Sequence, residues 1–115
     1  MKILFIEDDI CTQVAVSEYL KFLYKMDIVK ARHGQEGLDK LATGEHFDCI
    51  ILDERMPVMS GEEFLQAYEG SVPIVYSTAF SDRDPVRPVA AIIPKPYEAR
   101  KLGEAVMRIC GKNEE

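Results

Sequence analysis

Four short apolar runs, each continuous rather than alternating, constrain this chain more than any other feature. They are Ile3-Leu4-Phe5-Ile6, Cys49-Ile50-Ile51-Leu52, Ile74-Val75-Tyr76 and Ala90-Ala91-Ile92-Ile93. A strand with one wet face alternates apolar and polar residues, so unbroken runs suit strands buried on both faces. A weaker fifth candidate covers residues 27–31, with Ile28 and Val29. Amphipathic stretches fill the intervals. Residues 10–24 carry Val14, Leu20 and Leu23, and residues 35–43 carry Leu38, Leu41 and Ala42. Residues 60–68 begin with Ser60 and have Glu63 three positions on, the pattern of a helix capping box. Residues 97–110 place Leu102, Ala105, Val106 and Ile109 on one helical stripe. Strand and helix alternate from start to finish, which predicts right-handed crossovers and a doubly wound α/β fold with a parallel sheet covered on both faces. With 115 residues there is room for one core, and the whole chain reads as a single domain.

One interval breaks the rhythm. Residues 81–89 read Ser-Asp-Arg-Asp-Pro-Val-Arg-Pro-Val. Proline lacks the N–H that a helix needs and disfavours helical geometry in the residue before it. The helix due between the last two strands is therefore expected to be vestigial or missing, with residues 80–89 an irregular, mobile loop.

In an open parallel sheet, ligands bind at the carboxyl ends of the strands. The first run exits into Glu7-Asp8-Asp9, the third strand ends at Asp53, the fourth at Ser77-Thr78 and the last at Lys95-Pro96. Glu7, Asp8 and Asp53 crowded together need a cation, and hard oxygen ligands suit Mg²⁺. Asp53 is then a candidate carboxylate nucleophile toward a phosphoryl group. Lys95 and Thr78 are positioned to meet phosphoryl oxygens. Asp9 reads better as the N-cap of the following helix than as a ligand.

These motifs carry a family resemblance over essentially the whole length. ILFIEDD, ARHGQEGLDKL, FDCIILDERMPVMSGEEFL, PIVYSTA and PKP resemble, in order and near-family spacing, the receiver domain of bacterial response regulators. The segment LDERMPVMSG places its Asp, Met-Pro and Gly where receivers have them. The resemblance implies a flavodoxin-like sheet of five parallel strands ordered 2-1-3-4-5, with the fourth helix shortened or absent here. It makes residues 1–115 a single receiver domain with no effector domain. It implies Asp53 as the phosphoacceptor, and Glu7, Asp8, Asp53 and the backbone carbonyl of Arg55 as holders of Mg²⁺, with Mn²⁺ a substitute. Thr78 and Ala79 are implied at the switch, Lys95 as the phosphate-binding lysine, and a cis bond before Pro96. The implied donor is a histidine kinase or a histidine phosphotransfer protein, and the implied output is binding to a downstream protein. The chain departs from the family in its short interval from Thr78 to Lys95. It also has Ile92 at the position where an aromatic switch residue is usual, and isoleucine cannot signal by swinging a ring inward.

Several classes are disfavoured. A net charge of −6 repels nucleic-acid phosphates. No stretch reaches the roughly 20 apolar residues of a membrane span, and MKILFIEDD is too short in its apolar part for a secretory signal. Cys11, Cys49 and Cys110 form no metal-binding pair and read as free thiols of a cytoplasmic protein. An aspartyl phosphatase would need an acid where Arg55 stands, and an acidic first turn would repel a flavin phosphate. The expected protein is a switch rather than an enzyme with a separate substrate, although it takes part in its own phosphorylation and dephosphorylation. The alternative is a pseudo-receiver, the same fold used as a phosphorylation-independent interaction module.

Overall fold

Each apolar run becomes a strand, the first three buried and the last, at the sheet edge, only half-buried, and all four amphipathic stretches become helices. The computed structural model describes residues 1–80, 83–96 and 98–111. The order is β1 (Lys2–Ile6), α1 (Ile10–Tyr24), β2 (Asp27–Ala31), α2 (Gly34–Ala42), β3 (Cys49–Asp53), α3 (Gly61–Ala67), β4 (Ile74–Thr78), β5 (Ala91–Pro94) and α4 (Ala99–Cys110). The five strands are all parallel, in the order β2-β1-β3-β4-β5. Several boundaries differ from the sequence expectation by one or two residues. Helix α2 and strand β5 are each displaced by one residue. Helix α4 starts at Ala99 rather than at position 97, and Tyr97 lies outside the described residues.

The continuous runs divide by parity. Ile3, Phe5, Cys49, Ile51 and Val75 face α1 and α4, where Leu20, Leu102 and Val106 close the core. Leu4, Ile6, Ile50, Leu52 and Tyr76 face the other way and meet Phe64, Leu65 and Tyr68 of the α3 region. The helix starts follow local chemistry. Asp9 caps α1 by accepting from the Cys11 N–H at 3.3 Å and the Thr12 hydroxyl at 2.6 Å. Ser60 and Glu63 form the reciprocal capping box, at 3.2 and 2.9 Å.

Between β4 and β5 the described residues contain no helix. The segment is irregular, as its prolines require, yet it is tied to the α3 side. The Val86 N–H donates to Glu62 Oε1 at 3.1 Å. The Arg87 guanidinium donates to the carbonyls of Tyr68 and Gly70 and lies over the Tyr68 ring. Val89 packs against the core on that face. Ser81 and Asp82, part of the expected loop, lie outside the described residues.

Gly61 sets the approach of α3 to the sheet. A Cβ there would lie 2.7 Å from the Asp53 carbonyl oxygen and 2.8 Å from Glu54 Cα and the Tyr76 ring. Two of these three neighbours are backbone and cannot step aside. Gly61→Ala should therefore cost about 1–3 kcal/mol through overpacking, measured as a lower urea midpoint. An unchanged midpoint would mean that α3 is not held this close.

Candidate functional site

The register of the sheet gathers the polar residues on one edge. Ile6 lies opposite both Ala31 and Leu52, Asp53 opposite Ser77, and Thr78 opposite Pro94. The ladder continues just past the strand ends. Glu7 N–H donates to the Ala31 carbonyl at 3.0 Å, Glu54 N–H to Ser77 at 3.0 Å, and Lys95 N–H to Thr78 at 2.9 Å. The chain thus leaves the core at Glu7, Asp53, Thr78 and Lys95 along a single rim.

Glu7, Asp8 and Asp53 each present a carboxylate oxygen, and the three oxygens lie within 4.8 Å of one another. Glu7 and Asp53 are buried, and Asp8 is exposed. The Lys95 ammonium forms an ion pair with Asp53 Oδ1, and the Lys95–Pro96 peptide bond is cis. A cavity of about 380 Å³ opens here, lined among others by Asp8, Asp53, Arg55 and Lys95.

Burial pushes the Glu7 carboxyl up to about 7, helped by the negative charge of Asp53. The Asp9 N–H, which donates to Glu7 Oε2 at 3.1 Å, pulls the other way, as does Lys95. Asp53 is also raised, first by burial and further by the charge of Asp8. The Lys95 hydrogen bond and charge oppose this, as does the Arg55 N–H. The pocket therefore holds more negative charge than its surroundings favour. The donor set is oxygen only, which matches a hard divalent cation such as Mg²⁺, and the residues present fit one.

Thr78 is buried at the end of β4, and its hydroxyl is bonded to groups other than Asp53. It donates to Glu54 Oε1 at 2.5 Å and accepts from the Phe80 N–H at 2.9 Å. Ala79 is exposed beside it. Ile92 is half-buried on β5, opposite Tyr76.

Two site-supporting residues escaped sequence reasoning. Gln13 is buried, and its amide nitrogen lies 2.8 Å from the Ala31 carbonyl, 3.1 Å from that of Glu7 and 3.3 Å from that of Phe5. It fastens the ends of β1 and β2 behind the acidic turn. A glutamine on a helix ordinarily reads as solvated, so only its spacing four residues after the capping Asp9 could have drawn attention to it. Glu54 stands between the recognised positions Asp53 and Arg55, and nothing local announces its bond to Thr78.

A parallel sheet in this order, with an acidic pocket and a lysine at its carboxyl edge, defines the CheY-like receiver class of two-component signalling domains. Residues 3–107 match the response regulator receiver domain, and the chain belongs to that family. It is 31% identical to the transcriptional regulatory protein FlgR of Helicobacter pylori over 94% of this chain, which spans only 29% of that protein. It is 27% identical to a probable chemotaxis protein CheY of Rhizobium etli, covering 96% of this chain and 93% of the relative. Among solved structures it resembles the receiver domain of the sensor histidine kinase PA1611 from Pseudomonas aeruginosa, which has a magnesium ion coordinated in its active-site cleft. The TM-score is 0.80 at 25% identity, over 96% of this chain and 97% of that one. No helix among the described residues is long and apolar enough to cross a membrane.

The raised Glu7 carboxyl yields a pH prediction for the metal-free protein. The native state binds a proton near pH 7 that the unfolded chain binds only near the ordinary value of 4.5. Stability should therefore rise as pH falls from about 7 to 4.5, by about 2–3 kcal/mol in all. Asp53 adds in the same direction. Urea titrations in chelator across this window would measure the slope, and Glu7→Gln should flatten most of it. A slope equal to wild type in Glu7→Gln would place its origin elsewhere.

Proposed function

We propose that Asp53 accepts a phosphoryl group from a phosphohistidine and that the protein signals through the resulting change of state. The observation that carries this reading is the buried Asp53 carboxylate, held between the acids Glu7 and Asp8 and the Lys95 ammonium. An Asp53 oxygen forms the new bond to phosphorus as the bond to the donor imidazole nitrogen breaks. Hydrolysis later returns the phosphoryl group to water and restores the carboxylate. Lys95 lies where it can neutralise charge on the transferred group, which is most of what such a transfer needs from a protein. Glu7, Asp8, Asp53 and the Arg55 carbonyl would hold Mg²⁺, or Mn²⁺ in its place. The ion supplies charge neutralisation for the incoming phosphoryl oxygens.

The donor is a histidine kinase or a histidine phosphotransfer protein, and the output is binding to a downstream protein. Arg55 and Phe80 flank the site and are bulky, so they hinder an attacking water and lengthen the life of the phosphorylated state. The pseudo-receiver alternative is not favoured, because acids, hydroxyl and lysine are all present at the rim.

Two measurements test the proposal. With Mg²⁺ and a small phosphodonor, intact mass should show one added phosphoryl group. Asp53→Asn, whose amide is a poor nucleophile, should abolish it, as should omission of the metal. An unchanged gain in Asp53→Asn would move the acceptor elsewhere. For the output, hydrogen exchange of residues 83–89 should differ with and without beryllofluoride, since this segment replaces the helix that would otherwise respond. Equal protection in both states would rule out that route.

A further inference from the structure

The proton that Thr78 would offer to a group on Asp53 is already in use. A hydroxyl has one proton to donate, and that of Thr78 goes to Glu54 Oε1 at 2.5 Å. Its oxygen meanwhile accepts from the Phe80 N–H at 2.9 Å. Glu54 is well placed to keep this hold. Its N–H is bonded to the Ser77 carbonyl at 3.0 Å and its own carbonyl accepts from the Gly61 N–H at 2.8 Å. The residue is thus pinned between β4 and the start of α3. Its side chain also borders a narrow cavity of about 160 Å³ together with Glu62, Tyr76, Phe80 and Arg83. Glu62 is engaged separately, accepting from the Tyr76 hydroxyl at 2.6 Å and the Val86 N–H at 3.1 Å. The bond to Thr78 therefore belongs to Glu54 alone of these two acids.

The geometry points to Glu54 as a positioning residue that holds the switch in its unphosphorylated arrangement by sequestering the Thr78 proton. A phosphoryl oxygen on Asp53 must compete with the Glu54 carboxylate for that proton before it gains a bond from Thr78. Glu54 thereby sets how strongly phosphorylation must pull, a task separate from both the acceptor and the metal pocket. The inference rests on the reading of Asp53 as the phosphoryl acceptor.

Beryllofluoride titrations at saturating Mg²⁺, followed by amide NMR, separate the two. Saturable binding to the wild type that is lost in Asp53→Asn tests the acceptor reading by itself. Given that binding, Glu54→Ala should tighten it about tenfold, the weight of one hydrogen bond to a charged acceptor. Glu54→Gln, which keeps an acceptor oxygen without the charge, should tighten it less and serves if the alanine variant folds poorly. Loss of a negative charge near an anionic ligand would also tighten binding without any such hold. The Thr78→Val background distinguishes these causes by a double-mutant cycle. If Glu54 acts through the Thr78 proton, its substitution should have little effect there. An equal gain in both backgrounds, or no gain in the wild-type background, would overturn the inference.

Discussion

The ion pair between Lys95 and Asp53 joins the last strand to the middle one at the point where the core becomes a site. A carboxylate as buried as Asp53 is costly in its charged form unless a cation stands against it. The other two acids of the pocket make that cost larger. Lys95 supplies the compensating charge because β5 runs parallel to β4 and ends at Pro94, immediately before the lysine, whose N–H continues the ladder to the Thr78 carbonyl. Sheet order, register and pocket charge are thus one arrangement. A one-residue slip of β5 would carry the ammonium to the opposite face of the sheet and leave three carboxylates unbalanced.

What could be read from the sequence was either local or periodic. Three of the continuous runs announced strands buried on both faces, whereas the edge strand β5 is only half-buried, and the strand ends named the acids and the lysine. Asp9 and the Ser60–Glu63 pair act within one helical turn, so their capping roles were legible from spacing alone. The rest depended on contacts between distant residues. Gln13 is buried only because β1 and β2 both end beside it. Glu54 meets Thr78 across 24 positions, a pairing that no helical or strand period encodes. The first residue of α2 was likewise set outside its apolar stripe, where the His33 ring nitrogen accepts from the Glu36 N–H.

The interval between β4 and β5 illustrates how a missing helix is replaced. Two prolines forbid it, and the face it would have covered is closed by other means. Tyr76 is 2% exposed and fills the space with a large ring, placing its hydroxyl on Glu62. Glu62 also receives the Val86 N–H, while Arg87 satisfies carbonyls at the end of α3. An irregular backbone is thereby given polar partners that a helix would have found within itself.

The two margins of the sheet differ from its middle in a way that matters for association. Strand β5 has only four residues and ends in Pro94, which has no N–H to offer a newcomer. Strand β2 exposes the charged residues Asp27 and Lys30. Short length, proline and charge are the means by which natural sheets discourage another chain from adding a strand. A partner that binds this domain is therefore steered away from extending the sheet and toward the surfaces presented by helices and loops.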